Sequence, residues 1–142
     1  MVWSGLLIGL LCYQATRIDP AIRPAARGSM DEPVQITQSV RMIDGDTFDT
    51  GAMRVRVADI DTPEVHGDCA HEVQLAARAT ARMRALLAAG PFELRPLANG
   101  RDEDRYGRKL RIVTRGGRSL GDQLVAEGLA RTWSGRREPW CV

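Results

Sequence analysis

The stretch VQITQSVRMIDGDTFDTGAMRVRVADI, residues 34–60, decides the fold. Val34, Ile36, Val40 and Met42 share one parity, and Gln35, Thr37 and Arg41 the other, which predicts a half-buried strand. Asp44-Gly45-Asp46 then makes a tight turn. A second strand runs Thr47 to Thr50, and Gly51 allows the reversal into a third, Met53 to Ile60. In that third run Met53, Val55 and Val57 share one face, and Arg54 and Arg56 share the outward one. Two outward charges are ordinary solvated positions, so Arg56 acquires meaning only if acidic groups lie beside it.

Working downstream, Asp61-Thr62-Pro63-Glu64 ends the meander, because Pro63 cannot continue a ladder and forces Thr62 into an extended conformation. Ala70 to Ala89 reads as one helix, with Val73, Ala76, Thr80, Met83 and Leu87 at helical spacing and Gly90 just past its end. Phe92 to Leu97 is a fourth strand and Lys109 to Thr114 a fifth, with Leu110 and Ile112 inward, before Gly116-Gly117 breaks the pattern. Ser119 caps a short helix that ends at Gly128. Five strands, with one helix after the third and another after the fifth, predict an α+β protein built on a five-stranded OB-fold barrel.

The whole chain, 142 residues, has room for one such domain, which we place at 34–142. With 44% hydrophobic and 27% charged residues it is neither disordered nor collagenous. Twenty basic against 18 acidic side chains do not by themselves make a nucleic-acid or membrane binder. Residues 100–142, however, carry 10 basic against 6 acidic groups, so the C-terminal third supplies the basic face.

Upstream of the domain, Val2 to Tyr13 is too short to span a bilayer but matches the apolar part of a signal peptide. The usual basic segment before it is missing and no cleavage site stands out. We therefore expect residues 1–15 to be a signal peptide or short membrane anchor, and residues 16–33, rich in Ala, Pro, Arg and Gly, to be a flexible linker. The implied location is exported: secreted, periplasmic or membrane-anchored. With Cys12 in that segment, Cys69 and Cys141 remain as an even pair that fits a disulfide in an oxidising compartment. A zinc set of His66, Cys69, His71 and Cys141 is the alternative, opposed by the lack of CxxC and of a second His after His71-Glu72.

Three segments carry chemistry: Ile43-Asp44-Gly45-Asp46-Thr47, then Arg56 through Asp61-Thr62-Pro63-Glu64, then Asp104-Arg105-Tyr106-Gly107-Arg108. Asp46 and Asp61 at strand ends, with Glu64 three residues on, can converge three carboxylates, whose repulsion raises their pKa values unless a cation neutralises them. Oxygen-only ligands select a hard ion, and Ca²⁺ tolerates irregular loops better than Mg²⁺. Taken together and in this order, the segments resemble the staphylococcal nuclease (thermonuclease) family over about Val34 to Trp133.

That resemblance implies a Ca²⁺ site with Asp46 and Asp61 as carboxylate ligands, Thr62 through its backbone carbonyl and Glu64 through water. It implies that Arg56 and Arg108 fork onto a phosphate, that Tyr106 packs against or hydrogen-bonds a phosphate, and that Arg56, Glu64 and Arg108 are the catalytic set. The reaction would be hydrolysis of a phosphodiester in DNA or RNA with little sequence preference, water attacking in line with the 5′ oxygen and products keeping 3′-phosphates. Asp44 and Asp49 read as turn formers, Asp104 as a brace for its loop and Glu72 as a structural ion-pairing residue.

The sequence also departs from the family's pattern. The loop Val65 to Cys69 is short, Ser134 and Arg136 stand where base-stacking tyrosines are expected, and the chain stops at Val142 where a third helix would follow. Trp133 or Trp140 is then the replacement stacking surface, and a Cys69–Cys141 link would pin the tail. The expected partners are DNA and RNA, with membrane contact only through the N-terminal segment, and the expected state is a monomer. Two other readings compete: a non-catalytic OB-fold module that binds nucleic acid, and an exported domain whose acidic corner binds Ca²⁺ for stability alone.

Overall fold

The computed structural model describes residues 33–141. The signal-peptide or anchor reading, and the linker reading except at Pro33, lie outside the described residues. In chain order the elements are β1 (Val34–Ile36), β2 (Arg41–Met42), β3 (Thr47–Asp49), β4 (Arg54–Val57), β5 (Ile60–Asp61), α1 (Ala70–Ala88), β6 (Phe92–Arg95), β7 (Lys109–Arg115), β8 (Arg118–Ser119), α2 (Leu120–Ala126) and β9 (Arg131–Thr132). The main sheet runs β1-β6-β7-β4-β3-β2, with β8 paired to β7, while β5 and β9 form a separate ribbon.

The two ends of that sheet, β1 and β2, are consecutive pieces of one segment. β1 pairs antiparallel with β6 and β2 antiparallel with β3, so the sheet curls on itself as an OB-type half-barrel. The single strand expected over Val34 to Met42 is therefore two, because one straight strand cannot serve partners at opposite ends of a curled sheet. The expected third strand splits likewise: β4 stays in the sheet, while β5 leaves it to pair with β9. Among the described residues, β4 and β7 are the one pair of parallel neighbours. α1 lies between β5 and β6 in the chain and supplies one wall of the core.

Phe48 and Phe92 meet edge to face at 6.0 Å in the centre of the core, beside Val55, Val57, Met83, Leu94 and Val113. Two details differ from the sequence reading. On α1 the buried stripe is Leu75, Ala76, Ala79, Met83, Leu86 and Leu87, with Val73 exposed, so the inward face is rotated from the one expected. On β7 the core residue is Val113, not Ile112; Leu110 is buried under the opposite, cleft-facing side of the strand. Strand β7 is flanked by β6 and β4 and covered on both faces, so period-2 alternation does not say which face is the core.

Local signals at the chain reversals work as written. Gly116 and Gly117 both have positive φ, 56° and 77°, and link Arg115 to Arg118 in a two-residue hairpin that a side chain would strain. The Ser119 hydroxyl accepts from the Asp122 N–H at 3.1 Å to cap α2. α2 ends with the paired Gly128 N–H to Val125 and Leu129 N–H to Leu124 bonds that the left-handed Gly128 permits.

Candidate active site

Register places the site. Thr47 on β3, Arg56 on β4 and Leu110 on β7 are cross-strand partners in one row, on the face of the sheet that looks away from the Phe48 core. Arg54 is exposed, as an outward residue should be, but Arg56 is only 8% exposed. The outward expectation fails for Arg56 because the β4–β5 turn and the chain around Asp46 and Asp61 fold over it. Its Nη1 lies 2.9 Å from Asp46 Oδ2 and also donates to the carbonyls of Val57 (2.5 Å) and Ile60 (3.1 Å). Its Nη2 is 3.9 Å from Asp61 Oδ1.

Asp46 is buried at the end of the Asp44-Gly45-Asp46 turn, which is held by the Asp46 N–H donating to Asp44 Oδ1 at 3.0 Å. Besides Arg56, its Oδ2 accepts from the Thr62 N–H at 3.1 Å and the Thr62 hydroxyl at 2.9 Å, tying the first acidic loop to the second. Gly45 makes this approach feasible: a Cβ there would lie 2.9 Å from the Thr62 Cβ. Burial pushes the Asp46 carboxyl up to about 6, against the opposing pull of Arg56 and the Thr62 hydrogen bond and with the help of Asp44. Asp61, also buried, has Oδ1 near Arg56, whereas its Oδ2 is a buried oxygen with no hydrogen-bond partner among the described residues.

Glu64 lies at the cleft mouth with its side chain about half exposed, at 46%. Its backbone is fixed by Glu72, whose carboxylate accepts from the N–H groups of Glu64 (3.2 Å) and Asp68 (3.1 Å). Glu72 is the third residue of α1, where the helix dipole favours an anion. Gly67 leaves that carboxylate its space, since a Cβ there would come within 2.5 Å of the Glu72 side chain. Glu72 thus braces the site loop through backbone N–H groups instead of pairing with a cation.

Across the cleft, Asp104 braces its turn as expected, accepting from the N–H groups of Tyr106 (2.9 Å) and Arg108 (3.1 Å) and from Arg108 Nε (2.7 Å). Although burial pushes upward, these donors hold the Asp104 carboxyl below its ordinary range. Arg108 Nη1 reaches the Thr47 hydroxyl at 3.3 Å, and Thr47 donates to Asp46 Oδ1 at 3.2 Å, so one threonine joins the basic wall to the acidic floor. Tyr106 is exposed at 67% and lies beneath the Arg105 and Arg108 guanidiniums. Asp46, Arg56, Thr62, Glu64, Tyr106, Arg108 and Trp133 all line one cleft of about 780 Å³. Asp61 lies behind it, reached through Arg56.

Of the two tryptophans weighed as a stacking surface, Trp133 remains available; Trp140 is buried with Arg131 stacked 3.8 Å over its ring. Cys69 and Cys141 form the disulfide, which overturns the zinc alternative: both sulfurs are consumed by each other, so their closeness to Glu72 is not a ligand set. Asp49 pairs with Arg41 and Arg54 at the barrel edge, away from the cleft.

A family model described as staphylococcal nuclease homologue matches residues 54–139. The chain belongs to that family. A search of curated proteins gave no match. Membership in the staphylococcal nuclease homologues points to nuclease or other nucleic-acid-related function. The match begins at Arg54, yet Asp46, eight residues upstream, is bound into the matched region by Arg56 and Thr62.

Sequence reasoning passed over three participants. Thr47 stood inside a segment already singled out, so its row position next to Arg56 was the available signal. Gly45 was read only as a turn residue. Arg137 had no signal at all: it reaches the acidic loops from 76 residues away in the chain.

Proposed function

We propose that this protein is a Ca²⁺-dependent nuclease that hydrolyses phosphodiester bonds of DNA and RNA with little sequence preference, leaving 3′-phosphates. The observation that carries the proposal is that Asp46 and Glu64 line one cleft with Arg56 and Arg108, with Asp61 behind it against Arg56. The partnerless buried oxygen of Asp61 fits a cation, because a buried carboxylate oxygen without a donor is costly unless a positive charge meets it. Asp46, Asp61 and the Thr62 carbonyl would hold the ion, with Glu64 one water away. Bound there, Ca²⁺ would neutralise the carboxylates and polarise the phosphate and its attacking water.

The chain's own groups do the rest. Glu64, braced by Glu72 and open to solvent, orients the water at the cleft mouth. Arg108, held by Asp104 at Nε, presents its outer edge to the developing charge on phosphorus. Arg56 fixes Asp46 and offers its remaining guanidinium edge to the same phosphate. Trp133 offers an exposed aromatic surface on which a base of a single strand stacks, and Tyr106, beneath the Arg105 and Arg108 guanidiniums, packs against the phosphate. The disulfide supports an oxidising compartment, and with it an exported protein.

The purified 142-residue chain with Ca²⁺ is expected to cleave plasmid, single-stranded DNA and RNA, and chelation to abolish cleavage of all three. Metal-independent retention of single strands without any cleavage would instead favour the binding-module reading.

Calcium binding should also weaken in acid. The ion takes the deprotonated Asp46, whose carboxyl lies at about 6 in the metal-free protein, faced by Asp44, Arg56 and Thr62. Apparent affinity in calcium titrations is expected to drop about tenfold from pH 7 to pH 5. The same raised value has the opposite sign for metal-free stability. Asp46 contributes stability that is present below about pH 4 and is lost as pH rises through about 6.

A further inference from the structure

Arg137 stands between two of the carboxylates assigned above to the ion. Its Nη2 lies 3.2 Å from Asp61 Oδ1, and its Nη1 is paired with Glu64 Oε1. Asp61 is buried and Glu64 half exposed, so one guanidinium bridges the inner and outer members of the acidic set.

The two arginines that neutralise this set differ in how they are held. Arg56 is enclosed and tied to two backbone carbonyls as well as to Asp46, so it cannot leave without breaking the turn. Arg137 has its side chain 48% exposed, and both of its contacts are to carboxylates. The backbone just beyond it is clamped: the carbonyls of Glu138 and Pro139 accept from Arg131 Nη1 at 3.2 and 3.0 Å, Trp140 is buried under Arg131, and Cys141 is bonded to Cys69. The moving part is therefore the side chain alone.

We propose that Arg137 is a displaceable counter-ion of the metal site. It holds Asp61 and Glu64 in place while no divalent cation is bound, and it is driven off those oxygens when one binds, because a guanidinium and a dication cannot share them. Once released it remains in the same cleft as Arg56 and Arg108, where the next negative charge to arrive is a phosphate. Arg137 is thus a positioning residue whose cost is a weaker apparent affinity for metal. This inference rests on the proposed metal site.

The test is calorimetric titration of Ca²⁺ into the metal-free protein without nucleic acid, paired with thermal melts in chelator and in saturating Ca²⁺. Arg137→Gln is expected to tighten calcium binding about tenfold, the scale of one lost charge-assisted hydrogen bond. It should lower the melting temperature in chelator but not in calcium. Arg137→Lys, which keeps the charge but not the two-carboxylate bridge, should fall between Arg137→Gln and the unmodified chain. Arg136→Gln removes the same charge one residue away, where the side chain is 80% exposed and pairs with Glu138, and should leave the affinity unchanged. Equal calcium affinity in Arg137→Gln and the unmodified protein overturns the inference while leaving the metal site standing. So does equal tightening by Arg136→Gln, which would reduce the effect to net charge. Absence of calcium binding in every form overturns both.

Discussion

Arg108→Ala is expected to slow plasmid cleavage by about 10² to 10³, the scale of losing one fixed transition-state donor. The side chain is partly exposed, and its strongest bond is to Asp104, itself at the rim of the cleft. Removing it leaves Asp104, whose side chain is 10% exposed, accepting from two backbone N–H groups at Oδ1, while Oδ2 loses its Arg108 partner, so some stability is lost as well. Arg108→Lys should recover little, because a single ammonium cannot both hold Asp104 and face the phosphate. The comparison with Arg56→Ala is instructive. That change strands the buried Asp46 carboxylate and two backbone carbonyls, so any rate loss there is mixed with destabilisation. Single-turnover rates of Arg108→Ala, alongside its melting curve, decide the matter: an undiminished rate removes Arg108 from the chemistry.

The second large effect is on stability. Replacing Cys69 and Cys141 together by alanine is expected to cost about 4 kcal/mol, the loop-closure value for a crosslink spanning 72 residues. The bond ties the start of α1 to the end of the described chain. It closes the clamp formed by Arg131 and Trp140, so its loss should also loosen the segment that carries Arg137. Urea titration of the double variant against the unmodified protein measures this directly. A midpoint within error of the unmodified chain would mean that Trp140 packing alone holds the tail.

Much of this was readable from neighbouring residues. The Gly116-Gly117 break, the Ser119 cap, the Gly128 terminator and the span of α1 each depend on interactions within a few positions, which is why local pattern located them, although the hairpin that the break makes with β8 was not read. The three acidic and basic segments were likewise legible, since each is a short loop whose composition serves its turn as well as its chemistry. Asp44 and Asp104 doing turn work beside Asp46 and Arg108 is an instance.

The sequence by itself determined the two helices, the order of the longer strands, the family and most of the residues that meet in the cleft, because these follow from local conformational preference and from motifs a few residues long; the short strands β8 and β9 were not legible. Tertiary structure alone decided the rest. It split the first strand to close the barrel, chose Val113 over Ile112 for the core, buried Arg56, withdrew Trp140 from the surface and brought Arg137 to Asp61 and Glu64. Each of these outcomes depends on which groups from distant parts of the chain cover a given face. Periodicity along one strand carries no information about that.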